Sequence, residues 1–271
     1  MPDNCNQIRR TVLEMLYRAG ASHLGPSMSV IEILDAIYRS VDCGRIRQKA
    51  HNRDRVILSK GHAAAALYAT LWRHGLLGDL DPRTQYCQEG SVLAGHASHM
   101  VPGVEHSTGA LGHGLPVAVG CAIGLRSAGV EDARVFCVVG DGELQEGSNW
   151  EALMLARTQR LSNLTVLVDA NGISSIRRTQ DVIDLEPMLR VFEGMGLTAR
   201  EVPGHDSAAL DAVLRESGQP SVVICRTVKG RGVAFAENDP IWHYRSLDED
   251  RFRAALLALA EAVPETEEVL A

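Results

Sequence analysis

Three short apolar runs separated by helical patterns constrain the fold of this chain more than any other feature. The runs span residues 134–139, 164–168 and 221–225, and each is rich in valine, isoleucine or leucine. Helical patterns follow the first two runs, one extending to about Arg160 and another lying near 207–216. Continuous apolar runs that alternate with helices indicate parallel βαβ units. We therefore predict a three-layer α/β fold, with a mostly parallel sheet and helices on both faces.

The first part of the chain, over about residues 4–75, is predicted to be helical. Apolar residues at helical spacing predict one helix before Gly20 and another over residues 63–72. Between them, Ser29 and Glu32 have the spacing of a capping box that begins a helix. The sequence therefore predicts a helical segment that precedes the sheet.

The rest of the chain shows no repeat and no low-complexity linker. Ser148 and Glu151 predict a second capping box, a glycine-bearing loop follows near 229–246, and a final helix is expected over about 248–262. Because no break in composition divides the chain, we expect residues 1–271 to form a single domain.

Composition excludes several classes of function. The net charge of −7 disfavours binding to nucleic acid or to an anionic membrane surface. Six cysteines without a Cys-x-x-Cys pair are typical of a reducing compartment. The N-terminus lacks the apolar core of a signal peptide, and no run approaches the length of a membrane span. We expect a cytoplasmic protein.

Polar residues follow the first two apolar runs directly. Asp141 follows the first run and Asn171 follows the second, 30 residues further along the chain. Parallel strands bind ligands outside their carboxyl ends, and carboxylate and amide oxygens suit Mg²⁺ or Ca²⁺. The amides that begin the helix after Gly142 would favour a phosphate. Alternatively, the Gly-Asp-Gly and Asn-Gly sequences are simple turns that bind nothing.

Histidines in glycine-rich contexts are the second sign of a site. Five of the ten histidines occur in such contexts, namely His23, His62, His96, His113 and His243. Several histidines at predicted loops favour a polar cleft that binds anions or moves protons. The His-Glu-x-x-His, Gly-x-Ser-x-Gly and P-loop patterns are absent from the sequence, which disfavours the enzyme classes that use them.

These segments resemble the transketolase family. Residues 140–147, followed by 169–171, resemble the thiamine diphosphate motif, which begins with Gly-Asp-Gly and ends in an asparagine about 30 residues later. Further similar segments are residues 22–28, 54–62, 95–96, 102–114, 227–233 and 242–243, the last two being similar to two-subunit transketolases. The resemblance implies the thiamine diphosphate-binding fold of that family.

The resemblance also implies roles for individual residues. The metal, Mg²⁺ or Ca²⁺, would be held by Asp141, Asn171 and the carbonyl of Ile173. Thiamine diphosphate would contact His62, Gly109, Leu111, Asp141, Gly142, Glu146, Asn171 and His243. The catalytic histidines would be His23, His62, His96 and His243, with His23 and His96 pointing at the hydroxyls of the donor sugar.

Glu146 occupies the family's position for a carboxylate buried where two subunits meet; the alternative is a solvated glutamate at a helix start. The sequence departs from the family at Ser22, Leu24, Ala97, Ser98, His113 and Tyr244. Several of these positions adjoin the substrate-facing residues, which implies an altered donor or acceptor, or else drift at tolerant positions.

A full transketolase has three domains, and the glutamate that activates the cofactor lies in the second. We therefore expect a second polypeptide carrying the pyrimidine-binding and C-terminal domains, assembled with this chain as a heterotetramer. The expected activity transfers a two-carbon ketol unit from a ketose phosphate to an acceptor. Alternatives are another thiamine-dependent condensing or carrier-loading enzyme, and a cofactor-binding paralogue without activity.

Overall fold

A computed structural model describes residues 2–215 and 221–261 of the chain. Its helices are α1 (Pro2–Ala19), α2 (Leu24–Ser29), α3 (Ile31–Ser40), α4 (Cys43–Arg47), α5 (Ala64–Arg73), α6 (Pro82–Gln85), α7 (Gly114–Ser127), α8 (Gly147–Gln159), α9 (Met188–Gly194), α10 (Ser207–Arg215) and α11 (Glu249–Glu261). Its strands are β1 (Arg55–Leu58), β2 (Val135–Gly140), β3 (Leu164–Ala170), β4 (Ala199–Pro203) and β5 (Val222–Arg226). Short 3₁₀ turns span Gly61–Ala63, Gly142–Gln145, Thr179–Asp181 and Pro240–His243.

The five strands form one parallel sheet in the order β1-β2-β3-β5-β4. Both central strands β2 and β3 are buried along their whole length, which explains why their sequences are continuously apolar. The prediction of a parallel α/β sheet with helices on both faces is confirmed. Within the described part of the chain, no helix combines the length and apolar character needed to cross a bilayer.

Alternate residues of the strands face two separate cores. Phe136 and Val138 of β2 pack into the core that contains α1, α3 and α5, whereas Cys137 and Val139 pack into the core that contains α7 and α8. The sheet is therefore the middle layer of three, and ligands can reach it only at the strand ends.

Both predicted capping boxes are wrong. Helix α3 begins without a side-chain cap, because the Ser29 hydroxyl donates instead to Asp169 and to the Pro26 carbonyl. Glu32 is bound by Arg9 and His205. Ser29 and Glu32, which the capping pattern assigned to the start of a helix, instead bind buried charged or polar groups.

The second box fails because α8 begins one residue before Ser148, whose hydroxyl donates to the carbonyl of Gly112. The segment 4–75, expected to be helical, also contains β1, a strand of only four residues. Strand β4 and helices α7 and α9 were not predicted either. Helices α10 and α11 lie where expected, although residues 216 and 262 of the predicted ranges lie outside the described residues.

Candidate active site

A cleft of about 690 Å³ opens at the edge of the sheet where the parallel strands end. Residues that follow the strands line it: Lys60 after β1, Asp141 after β2, Asn171 after β3 and Lys229 after β5. Parallel sheets bind ligands outside the carboxyl ends of their strands. The cleft therefore lies where the fold itself predicts a site.

The register of β2 and β3 brings the two predicted strand-end residues together. Gly140 pairs with Asp169, so that Asp141 and Asn171 leave the sheet side by side. One carboxylate oxygen of Asp141 accepts a 2.5 Å hydrogen bond from the amide of Gly172, the residue after Asn171. The expected proximity of these strand ends is what the structure shows.

Asp141 carries a buried carboxylate that forms no ion pair within residues 2–215 and 221–261. Only 2% of the residue is exposed. Burial, together with the nearby charge of Asp169, raises the pKa of Asp141 to about 6. A cation bound to this carboxylate would offset both effects.

Two further oxygen atoms that could bind a metal lie near Asp141. The side-chain oxygen of Asn171 accepts a 3.1 Å hydrogen bond from the amide of Ile173. The carbonyl oxygen of Ile173 lies 3.2 Å from the ammonium of Lys229. A carboxylate, an amide oxygen and a backbone carbonyl are ligands that Mg²⁺ and Ca²⁺ prefer. The donor set therefore fits a hard divalent cation.

Asp169 is a second buried carboxylate, which the sequence analysis missed. It accepts hydrogen bonds from the hydroxyls of Ser29 and Thr227 and from the ammonium of Lys60. Burial alone would raise its pKa, but Lys60 and the two hydroxyls hold the pKa of Asp169 below its ordinary value. It is a fixed anion that ties α2 and the turn after β1 to the end of the sheet.

Lys229 is the second residue that the sequence analysis left without a role. Its side chain is buried, and its ammonium donates to the carbonyls of Ile173 and Ser174. The same ammonium lies 3.4 Å from Nδ1 of His243. Burial, followed by the charge of Lys60, lowers the pKa of Lys229 to about 8.

The four histidines predicted as catalytic form one cluster in this cleft. The ring of His23 lies 5.5 Å from that of His62, 5.6 Å from His96 and 5.2 Å from His243, measured between ring centroids. The rings of His62 and His243 are 5.0 Å apart. Segments that are far apart in sequence therefore meet at one point.

Three of these histidines are neutral at physiological pH. Burial is the largest cause, and it lowers the pKa of His23 to about 4 and of His243 to about 3, with nearby lysines adding to both shifts. The pKa of His62 is likewise well below its ordinary value. A neutral imidazole offers one donor and one acceptor, so it can orient a hydroxyl and also accept its proton.

Comparison with known proteins identifies the family. Residues 2–260 match the model of the transketolase thiamine diphosphate binding domain. The chain belongs to the transketolase family. It is 36% identical over 260 residues to one of the subunits of the apulose-4-phosphate transketolase of Actinobacillus succinogenes, with 94% of each chain covered. It is 32% identical over 264 residues to the 6-deoxy-6-sulfo-D-fructose transketolase subunit SqwG of a Clostridium species, again with 94% of each covered.

The fold comparison agrees with this assignment. The chain superposes on the transketolase of Campylobacter jejuni with a TM-score of 0.85 and 27% sequence identity, over 96% of its own length. It spans 42% of that longer protein. The resemblance inferred from the motifs is thereby confirmed.

Gly109 and Leu111, which the transketolase resemblance assigns to the cofactor, also line the cleft. Gly109 lies against the ring of His96, which a Cβ at residue 109 would approach to 3.3 Å. Leu111 lines the cleft just before Gly112, where φ is +81° and a Cβ would lie 2.6 Å from the Ser148 hydroxyl. Glycine allows this loop to pass close to the turn that follows β2.

Two glutamates lie in or just after the turn that follows β2, and they differ in environment. Glu146 is exposed at the edge of the cleft. Glu143 is buried and accepts hydrogen bonds from the Ser59 hydroxyl and from the amides of Gly112 and Gly140; burial raises its pKa. The sequence analysis missed Glu143, because spacing alone does not show which glutamate is buried.

The departures from the transketolase pattern fall at different depths. Tyr244 lines the cleft with 60% of its surface exposed, and its ring lies 4.8 Å from that of His243. Leu24 and Ala97 are buried, whereas His113 is exposed at the start of α7. Of these four, Tyr244 is the one that lines the cleft.

Proposed function

We propose that this chain is the diphosphate-binding subunit of a two-subunit transketolase-like enzyme, which transfers a two-carbon ketol unit from a ketose phosphate to an acceptor. The observation that carries the proposal is one cleft that joins the buried carboxylate of Asp141 to the four clustered histidines. Two relatives of matching length are named as subunits of transketolases, which supports a divided enzyme.

The metal and the cofactor would occupy the strand-end side of the cleft. We assign Asp141, Asn171 and the carbonyl of Ile173 as ligands of Mg²⁺ or Ca²⁺. Gly142 leaves room for a diphosphate, because a Cβ there would come within 3.2 Å of the Cβ of Ser174. When bound, thiamine diphosphate supplies the carbon nucleophile that carries the ketol unit.

Positive charge on the same side would hold the diphosphate. Lys229 lies beside the proposed metal ligands, and its ammonium can turn from two carbonyls toward a phosphate oxygen. His62 and His243 lie on the boundary between this side and the reacting centre.

The histidines would bind the sugar substrate and exchange protons with it. His23 and His96 can donate hydrogen bonds to its hydroxyls, and such donors stabilise charge that develops on oxygen during reaction. Since the pKa of His23 is low, it can accept a proton only transiently and returns it readily.

The rest of the active site would come from other polypeptides. We propose that a second chain supplies the pyrimidine-binding and C-terminal domains, and that exposed Glu146 marks the contact between two copies of this chain. Two copies of each polypeptide would then form a heterotetramer.

Ketol transfer tests this proposal. This chain, its partner polypeptide and their mixture are assayed with ketose phosphates at saturating Mg²⁺ and thiamine diphosphate, and we expect turnover only in the mixture. Robust turnover by this chain alone would contradict a divided site. A mixture that binds thiamine diphosphate and transfers no ketol unit would contradict the enzymatic role and favour a cofactor-binding paralogue.

A further inference from the structure

A tight turn over residues 174–177 forms one rim of the cleft. The amide and the hydroxyl of Ser174 both donate to the carbonyl of Arg177, at 2.8 and 3.0 Å. An isolated antiparallel bridge between Ile173 and Arg178 closes the base of the turn. The turn is therefore held by its own backbone, and its tip lines the cleft.

The turn is also attached to the proposed cofactor site. The carbonyl of Ser174 accepts a hydrogen bond from Lys229, and the Cβ of Ser174 lies against Gly142. Ser174 is paired with Arg177 across the turn, so Arg177 also lies near the strand-end side of the cleft.

Arg177 is the last residue of the turn and lines the cleft, and it differs from the other cations that do so. Lys60 is paired with Asp169, and Lys229 donates to two backbone carbonyls. Arg177 is exposed, and no carboxylate within residues 2–215 and 221–261 forms an ion pair with it. Arg177 thus offers the cleft a positive charge that the described residues leave uncompensated.

We propose that Arg177 binds a phosphoryl oxyanion in the cleft. The inference rests on the proposed function, in which Asp141 and a bound diphosphate together carry more negative charge than one divalent cation neutralises. A guanidinium matches the geometry of phosphate with two parallel N–H donors. The phosphate of a ketose donor has the same chemistry as the cofactor diphosphate, and the position of the turn favours the diphosphate.

Two sets of measurements on the assembled complex test the inference and separate the two sources. The variants are Arg177→Gln, Arg177→Lys and the control Arg178→Gln, since Arg178 is also exposed but does not line the cleft. Without substrate and at saturating Mg²⁺, the Kd is measured for thiamine diphosphate and for thiamine. Separately, the KM is measured for a ketose phosphate and for the same ketose without phosphate.

We expect Arg177→Gln to weaken thiamine diphosphate binding by about tenfold and to leave thiamine binding unchanged. A selective rise of similar size in the KM of the ketose phosphate would assign Arg177 to the sugar phosphate instead. Arg177→Lys should recover part of the loss, and Arg178→Gln should change either constant less than about twofold.

The inference is wrong if Arg177→Gln changes neither constant, or if Arg178→Gln causes an equal loss. A wild-type complex that binds no thiamine diphosphate in the presence of Mg²⁺ would instead contradict the proposed function. Because Arg177 is exposed, we expect all variants to assemble as the wild type does, and size-exclusion chromatography of each complex checks this.

Discussion

The two walls of the cleft handle charge in opposite ways. The strand-end wall consists of Lys60, Asp141 and Lys229, which follow strands of the sheet, and of the buried Asp169 in β3 that pairs with Lys60. The histidine wall consists of His23, His62, His96 and His243, which come from loops and turns and of which three are held neutral by burial.

This difference fits what we propose that each wall binds. A diphosphate and a metal ion are permanently charged, so their partners gain from a rigid backbone and fixed ion pairs. A sugar that exchanges protons needs groups that are neutral and can move a proton. The walls also act on each other, because Lys60 and Lys229 contribute to the low pKa of His62 and His243.

The largest expected effect comes from breaking the ion pair of the strand-end wall. Lys60→Met leaves Asp169 buried without its cation, which should lower the free energy of unfolding by about 3–5 kcal/mol. Urea unfolding measures the loss, and Lys49→Met, at an exposed lysine, is the control. The double variant Lys60→Met/Asp169→Asn should recover part of it, since no charge is then left unpaired. A loss below about 1 kcal/mol in the single variant would show that Asp169 is not a fixed anion.

The next effect concerns the metal site of the same wall. Asp141→Ala removes the only charged ligand that we propose, so thiamine diphosphate should bind about a thousandfold more weakly to the complex at saturating Mg²⁺. Titration calorimetry measures the affinity, and Asp181→Ala, at an exposed position, controls for the loss of a surface charge. Unchanged affinity in Asp141→Ala would show that the strand-end wall does not hold the metal.

A change in the histidine wall should have a different signature. His96→Ala should reduce turnover by about a hundredfold and change cofactor affinity by less than about threefold, because the partner that we propose for His96 is the sugar. His99→Ala is the matched control, since His99 is exposed and bonded to Ser107. Equal losses of turnover and cofactor affinity would place His96 on the diphosphate and remove the distinction between the walls.

Sequence alone could predict the residues that strand order brings together. Asp141 and Asn171 follow consecutive strands of a parallel sheet, so their proximity is a consequence of topology. The same argument could not find Asp169, which lies inside β3 and whose partner Ser29 is 140 residues away. The role of Asp169 depends on contacts between distant segments, which the local spacing of residues does not reveal.

The errors in local structure have the same origin. Ser29 fits a capping pattern, but a buried carboxylate binds its hydroxyl more favourably than a helix end does. Strand β1 has only four residues and lies between helices, so its pattern is too short to outweigh theirs. Helix α7 is apolar on most sides and rich in glycine, and a helix without a clear apolar stripe gives no periodic signal.

The smallest expected effects come from comparing a cleft histidine with one outside the cleft. Nε2 of His74 lies 2.9 Å from the buried carboxylate of Asp35. Burial alone would lower the pKa of His74, but the bond to Asp35 raises it to about 9, whereas burial lowers that of His23 to about 4. Folding therefore favours the protonated form of His74 and the neutral form of His23.

The two histidines should give stability opposite dependences on pH. The stabilisation from His74 is fully present below pH 6.5, its ordinary pKa, and is lost as the pH rises toward 9. The stability associated with neutral His23 is present above pH 6.5 and is lost as the pH falls toward 4. Urea unfolding of the wild type, His74→Gln and His23→Asn at several pH values separates these contributions; asparagine tolerates the φ of +72° at residue 23.

We expect the advantage of the wild type over His74→Gln to shrink by about 1–2 kcal/mol between pH 6.5 and 9. Between pH 6.5 and 4.5, His23→Asn should gain a similar amount relative to the wild type, because it has no imidazole to protonate. Opposite slopes would show that Asp35 overrides burial at His74, whereas burial keeps His23 neutral. Slopes of the same sign would mean that burial outweighs Asp35 at His74 as well, and the contrast between the two histidines would then disappear.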